Sequence, residues 1–380
     1  MKQPERYVEP RLTQYLFDRA SRTLTPLSGT FELSPVCNLA CKMCYVRKTP
    51  AEVAASPRPP VGLIQWLSIA EQARDAGMLY LLLTGGEPFL WQDFWPLYER
   101  LSTMGFLISI NSNGTLLDEA RVARLAEHPP TRINITLYGA GNETYEALCG
   151  RSGMFDRVDR AITLLRQAGI LVKLNCSLTP HNACDLERIV AYAAERGLIL
   201  EVNTYMFPPL RRDPAMVGRN DRFTPAETAH YHMERYRLQR GEEDFTRFLQ
   251  NILRGIAPPP GLDEDCVDPV DGTISCRAGN ASFWVTWDGW LTPCGMMPKP
   301  RIELKGKPFR EAWSELTRVS SAQRLSGTGC QNRRICHSCA AMAMAETGSV
   351  SGIPKYLCEM VWAMRTEAAR LLAERQKPTA

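Results

Sequence analysis

No stretch of this chain approaches the ~20 consecutive apolar residues that a membrane span requires. Its first residues, MKQPERYVEPR, are charged and lack an apolar signal core, so neither export nor insertion is expected and the chain reads as cytoplasmic. An excess of one charge is also missing. The 45 Lys+Arg and 41 Asp+Glu leave a net +4, too mild a balance to argue for nucleic acid or an anionic membrane surface. Low-complexity segments are absent, as is any internal repeat beyond a β/α alternation. The chain does have length, at 380 residues, enough for one large domain and a smaller one. Hydrophobic content of 44% and charged content of 23% suit a globular protein. It is also rich in cysteine, with 13 residues. Without an oxidising compartment these are poor disulfide candidates, and metal or cluster ligation explains them better.

The cysteines are grouped. Cys37, Cys41 and Cys44 stand at C-x3-C-x2-C in FELSPVCNLACKMCY, directly after a short apolar segment. Cys266, Cys276, Cys294, Cys330, Cys336, Cys339 and Cys358 lie far downstream, with Cys149, Cys176 and Cys184 between the groups. A closed structural zinc site needs four ligands, and no fourth Cys or His stands near the triplet. A four-iron cluster held by three thiolates leaves one iron free to bind a small molecule.

From residue 31 to about 206, short apolar runs alternate with amphipathic stretches. The expected strands are 31–36, 79–85, 106–114, 132–139, 170–179 and 198–207. Between them, helical spacing covers 66–78, 94–105, 117–128, 155–169 and 183–197. This is an α/β pattern: a parallel sheet curled into a partial (β/α)6 TIM-like barrel, two units short of the eight-fold barrel. In such barrels chemistry sits at the C-terminal strand ends. The polar motifs fall there: the cysteine triplet, Thr84-Gly85-Gly86-Glu87-Pro88, Asn111-Ser112-Asn113-Gly114 and Thr136-Leu137-Tyr138-Gly139. Lys173, Asn175 and Ser177 alternate onto one face of the fifth strand. Residues 50–61 read as a Pro/Ala-rich loop, 207–225 as an irregular connection, and about 226–255 as helical. The run APPPGLDED marks a domain boundary.

The triplet spacing and the aromatic Tyr45 resemble the signature of the radical S-adenosylmethionine (radical SAM) superfamily. The resemblance implies a four-iron cluster on Cys37, Cys41 and Cys44, which are then the catalytic residues. It implies S-adenosylmethionine held at its amino group by Gly85, Gly86 and Glu87. It also places Ser112, Asn113 and Thr136 near the ribose and carboxylate, Tyr45 on the adenine, and Lys173 and Asn175 inside the barrel against cofactor or substrate. Tyr138 departs from the Asp-Gly pair many relatives carry at that strand end. Reductive cleavage of the cofactor would yield a 5′-deoxyadenosyl radical that removes hydrogen from a substrate. The reductant would be a flavodoxin or ferredoxin.

Downstream, Gly289-x4-Cys294 in WVTWDGWLTPCGMM and Cys330-x5-Cys336-x2-Cys339, then Cys358, resemble the SPASM extension, which holds auxiliary four-iron clusters. Asp288-Gly289 suits the tight turn of a hairpin. Carried over position by position, one auxiliary cluster takes Cys266, Cys276, Cys294 and Cys339. A second takes Cys330, Cys336 and Cys358 and lacks a ligand, because Gly327 stands where the family has cysteine. The competing reading of these cysteines is zinc. The expected organisation is an N-terminal extension (1–30), the barrel (31–206), a bridging helical region (207–260), the auxiliary-cluster domain (261–365) and a tail (366–380). Many relatives with this extension modify ribosomally made peptides, so peptide cross-linking or oxidation is the first functional reading. Thirty residues before the first strand are too few for the fused peptide-recognition domain that some relatives carry, so leader recognition is expected to fall to a separate protein or to the barrel mouth itself. The alternatives are a dehydrogenase of a small molecule or cofactor precursor and, in another class, a non-catalytic iron–sulfur or zinc protein serving assembly or sensing.

Overall fold

The computed structural model describes residues 11–256, 272–274, 276–327 and 329–375. Helix α1 (Arg11–Thr23) precedes β1 (Ser28–Glu32), and the cysteine loop follows. Next come α2 (Pro50–Ala54), α3 (Leu63–Asp75), β2 (Tyr80–Thr84), α4 (Phe94–Ser102), β3 (Leu107–Ser112), α5 (Glu119–Glu127) and β4 (Arg132–Thr136). Helices α6 (Asn142–Cys149) and α7 (Met154–Gln167) lead to β5 (Val172–Ser177), and α8 (Leu186–Glu195) to β6 (Ile199–Asn203). Strands β1 to β6 pair in parallel, each with the next in sequence. Their helix-facing side chains, among them Phe31, Leu83, Ile110, Ile133, Ile135 and Leu174, are fully buried, as a parallel sheet covered by helices demands. Phe31 stacks on Trp66 of α3 at 4.8 Å between ring centroids. Each expected strand is present, shorter than its apolar run.

Several expectations are corrected at their edges. The first strand is Ser28–Glu32 and not 31–36, so the boundary expected at 30/31 falls inside it; residues 33–36 go on to bond the TGGEP segment, where Leu33 N–H donates to Thr84 O, and Ser34 O and Val36 O accept from Gly86 and Glu87 N–H. The segment 50–61 is not all loop. A capping box between Thr49 and Glu52 starts α2, with Pro50 at its first position. The helical stretch after the barrel is two helices, α9 (Pro225–Arg240) and α10 (Glu242–Arg254), broken at Gly241 with φ 82°.

The extension builds β7 (Ser282–Val285), β8 (Trp290–Thr292), β9 (Ile302–Glu303), α11 (Phe309–Ser321), α12 (Arg333–Cys336), α13 (Ala340–Thr347) and α14 (Lys355–Arg375). The hairpin expected around Asp288-Gly289 is β7–β8, and Gly289 has φ 85°. Its placement was not foreseen: β7 pairs in parallel with β1. Barrel and hairpin therefore share one sheet, in the order β6-β5-β4-β3-β2-β1-β7-β8-β9. The boundary at 365/366 falls inside α14. That helix packs on α9 and α10 through Met233, Phe248, Leu249, Leu357 and Val361, so residues 366–375 are helix and not a tail. Among the described residues no helix is long and apolar enough to cross a membrane.

Candidate radical-initiation site

The cysteine loop leaves the top of β1. A bridge between Val36 and Lys48 closes its base, with Lys48 N–H donating to Pro35 O at 2.9 Å. Its outer side rests on the end of α6, where Ala40 N–H donates to Cys149 O at 2.9 Å and Lys42 N–H to Leu148 O at 3.2 Å. Cys149 is buried beside Cys41, and the contact with it, together with burial, holds the Cys41 thiol well up. Neither α6 nor this support is announced by the sequence pattern.

Gly85 and Gly86 do what only glycine allows, though toward protein backbone. A Cβ on Gly85, whose φ is +153°, would meet Ser34 O at 2.3 Å, and one on Gly86 would meet Val36 O at 2.4 Å. The pair lets β2 run flush against the cysteine loop. Glu87, fully buried, accepts from Ser112 Oγ (2.9 and 3.1 Å), Asn113 N–H (2.8 Å) and Phe89 N–H (3.2 Å). Burial pushes its carboxyl up to about 7 against these bonds. Its carboxylate thus ties TGGEP to the end of β3. Ser112 Oγ also accepts from Gly114 N–H at 2.9 Å.

Asn113 carries the tie into the cysteine loop. Its Nδ2 donates to Asn38 Oδ1 at 2.9 Å and lies 3.6 Å from Cys37 Sγ. Its Oδ1 accepts from Thr115 N–H and Oγ1 at 2.9 and 2.6 Å, and Asn38 Nδ2 donates back to Thr115 Oγ1 at 2.8 Å. Asn38 and Thr115 were not singled out from the sequence, although both flank motifs that were. Deeper in the barrel, Thr136 on β4 is in register with Asn175 on β5, whose Oδ1 is buried without a protein partner. Lys173 is paired with Glu201 of β6. Tyr45 follows Cys44, and burial raises its phenol, reinforced by the charge of Glu32 and opposed by Arg211.

Cys37, Cys41 and Cys44 are partly buried residues. Backbone N–H groups of Leu39 and Arg47 lie 3.4 Å from Cys37 Sγ and Cys44 Sγ. Burial pushes Cys37 up to about 12 and raises Cys44. Bare, these thiols stay protonated; a strongly positive centre is what would make them thiolates, and the aimed N–H groups then stabilise charge on sulfur. That donor set fits an iron–sulfur cluster. Among the described residues no group of three or more His, Cys, Asp or Glu side chains is arranged to hold a single metal ion.

The extension brings its cysteines into two neighbourhoods. Cys276 lies within electrostatic reach of Cys294 and Cys339, and burial pushes it up to about 12. Cys339 caps α13 and accepts Met342 N–H at 3.4 Å, while Met296 N–H lies 3.5 Å from Cys294 Sγ. Cys336 lies near Cys330 and Cys358. Cys266 falls outside the described residues. At Gly327, with φ +75°, an added Cβ would meet open space.

The radical SAM superfamily profile matches residues 31–193. An AdoMet-dependent heme synthase of Methanosarcina barkeri is 24% identical over 86% of this chain and 94% of its own length. A probable GTP 3′,8-cyclase of Metallosphaera sedula is 32% identical over 73% of this chain and 83% of its own. The sporulation killing factor maturation protein SkfB of Bacillus subtilis is 23% identical over 72% and 62%. Among solved structures, anSMEcpe with bound AdoMet superposes with a TM-score of 0.66 at 18% identity, covering 93% of this chain and 100% of that one. Streptococcus suis SuiB bound to its precursor peptide SuiA gives 0.63 at 17% identity, covering 91% and 80%. The fold is shared across barrel and extension, the sequence likeness spans the cysteine loop and the strand ends that grip it, and the chain belongs to the radical SAM superfamily.

Proposed function

We propose that this chain cross-links or oxidises a ribosomally made peptide by radical chemistry begun at the loop of Cys37, Cys41 and Cys44. Bound there, a reduced four-iron cluster and S-adenosylmethionine supply the 5′-deoxyadenosyl radical that removes a hydrogen atom from the substrate. The protein supplies thiolates, orientation and shelter from water. Cys37, Cys41 and Cys44 are the thiolates. Glu87, Ser112 and Asn113 hold the TGGEP and NSNG segments against the loop, so that Gly85, Gly86 and the backbone around them present fixed polar groups to the methionyl end. Tyr45, Thr136 and Asn175 are the proposed contacts to the rest of the cofactor, while Lys173, paired with Glu201, lines the interior. Cys276, Cys294 and Cys339, with Cys266, would hold one auxiliary cluster, and Cys330, Cys336 and Cys358 a second with one position open. A flavodoxin- or ferredoxin-like reductant and a separate leader-binding protein belong to the same reading.

The observation that carries the peptide reading is the fold likeness to SuiB bound to its precursor peptide, which takes in 91% of this chain, barrel and cysteine-bearing extension together, and 80% of that one. One observation favours a second reading, dehydrogenation of a small cofactor precursor. The heme synthase likeness spans 94% of that relative, against 62% for SkfB. Anaerobic iron and sulfide quantitation with dithionite-driven 5′-deoxyadenosine formation tests the initiation step. The wild type should hold about eight irons, or twelve with the second auxiliary cluster, and a Cys37/Cys41/Cys44→Ala triple variant should lose about four and make no 5′-deoxyadenosine. Zinc in place of iron would return the protein to the assembly or sensing class. Co-expression with a short peptide encoded beside the gene then separates the two enzymatic readings. Hydrogen loss from that peptide, seen by mass spectrometry, supports the first, and an unchanged peptide favours the second.

A further inference from the structure

The connection after β6 carries two consecutive arginines that bond to different cysteine loops. Arg211 forms a two-pronged pair with the fully buried Glu32, Nη2 to Oε1 at 2.7 Å and Nη1 to Oε2 at 2.9 Å. Its Nη1 also donates to the carbonyl of Gly295, the residue after Cys294, at 2.8 Å. Trp284 of β7 adds a third bond to Glu32 through Nε1 at 3.0 Å. Arg212 turns to the other loop and donates from Nη1 to the carbonyl of Cys44 at 2.9 Å. Farther along the same connection, Asn220 Nδ2 donates to Phe207 O at 2.6 Å and reaches Met43 O at 3.5 Å.

Glu32 ends the barrel's first strand, Trp284 belongs to the hairpin, and the arginines lie between barrel and extension in sequence. The charge of Glu32 is buried and is satisfied by three donor bonds from two side chains, the condition under which a buried ion pair is tolerated. The planar guanidinium fork grips a carboxylate and a backbone carbonyl together, which a lysine ammonium does not reproduce.

We propose that Arg211 and Arg212 are positioning residues that set the separation and relative orientation of the Cys37/Cys41/Cys44 loop and the Cys294 loop. The proposal rests on the reading that both loops carry iron–sulfur clusters. Two redox centres on separate loops communicate through the distance and orientation between them, and here both loops are referred to one dipeptide rather than only to the sheet. The pairing of β1 with β7 holds the two strands in place without it; the arginines act on the loops themselves.

The test uses full-length protein reconstituted anaerobically with iron and sulfide, without substrate. Arg212→Ala, Arg212→Lys and Arg211→Lys are compared with wild type by iron and sulfide content, by the pulsed-EPR distance between dithionite-reduced clusters, and by hydrogen exchange. Arg212 is exposed, so its truncation leaves the core intact. Arg212→Ala should keep its iron while the intercluster distance distribution broadens. Amide exchange should accelerate in residues 37–48, and Arg212→Lys should restore part of both effects. Arg211→Lys should keep the fold and accelerate exchange in residues 290–297 as well. A folded, iron-replete Arg212→Ala with wild-type distance and exchange would overturn the proposal. Failure of the underlying reading shows earlier and separately: wild type with zinc, or with fewer than two paramagnetic clusters, sinks both the cluster assignment and the clamp.

Discussion

Glu87 is the residue on which the rim turns. A carboxylate without solvent contact holds three donors from two segments that are distant in sequence. Glu87→Gln keeps the shape but offers an amide N–H₂ where donors already point, so equilibrium denaturation of the iron-free protein should show a loss of about 1–3 kcal/mol. The pH dependence has a definite sign. Burial raises the folded-state carboxyl from 4.5 to about 7. Its stabilising contribution is therefore full below the unfolded value and declines as pH rises through about 7. The stability gap between wild type and Glu87→Gln should be wider at pH 5 than at pH 8, and a gap that widens toward alkaline pH would contradict this. Arg211 makes a second residue-scale case. Arg211→Ala strands Glu32 in the interior and should cost about 3–5 kcal/mol in the same measurement. At this scale the sequence exposes identities without partners. Cys37, Glu87 and Asn113 stand out by motif, whereas Asn38, Thr115 and Arg211 become visible only when segments far apart in the chain are brought together.

The cysteine loop is held on two sides, by the TGGEP segment at the end of β2 and by the end of α6. Its entrance, residues 33–36, is zipped to TGGEP by the Leu33, Gly86 and Glu87 N–H groups. Pro35 cannot donate to a ladder, which is a physical reason for β1 to end inside the run FELSPV, at Glu32. Gly86→Ala would drive a Cβ to 2.4 Å from Val36 O. It should therefore lose iron from the triplet site on reconstitution while the extension's iron stays; full occupancy in the variant would show that the loop has slack. Cys41→Ala should abolish 5′-deoxyadenosine formation. The strand and helix periodicities were legible here because a buried parallel strand and an amphipathic helix write different periods. The support from α6 was not. An eight-residue helix inserted before α7 leaves only a short pattern, and its contact with Ala40 and Lys42 is a backbone contact that side-chain identity does not encode.

Across the whole molecule, β7 on β1 makes the extension part of the barrel's sheet. A chain ending at residue 256 would strip β1 of the neighbour it pairs with over Ser28–Phe31 and leave Glu32 without Trp284. Such an exposed edge should aggregate, which sedimentation of the expressed fragment reports directly. Cys294→Ala in the folded full chain should still cleave S-adenosylmethionine but yield no product, and normal product would remove the auxiliary site from the reaction.

The sequence by itself determined the class of the fold, the position of the cysteine loop and the strand ends that face it. Those depend on periodicity and on close spacing, which are local properties. It also marked the Asp288-Gly289 hairpin, because a tight turn is local chemistry. Only the tertiary structure decided that the hairpin joins β1, that α14 runs past residue 366 to pack on α9 and α10, that the glycine pair meets the loop's backbone, and that one arginine pair reaches both cysteine loops. Strand pairing between β1 and β7 spans some 250 residues of chain, and nothing in either segment's own pattern names the other. Such contacts are selected by the burial and hydrogen bonding of the assembled molecule.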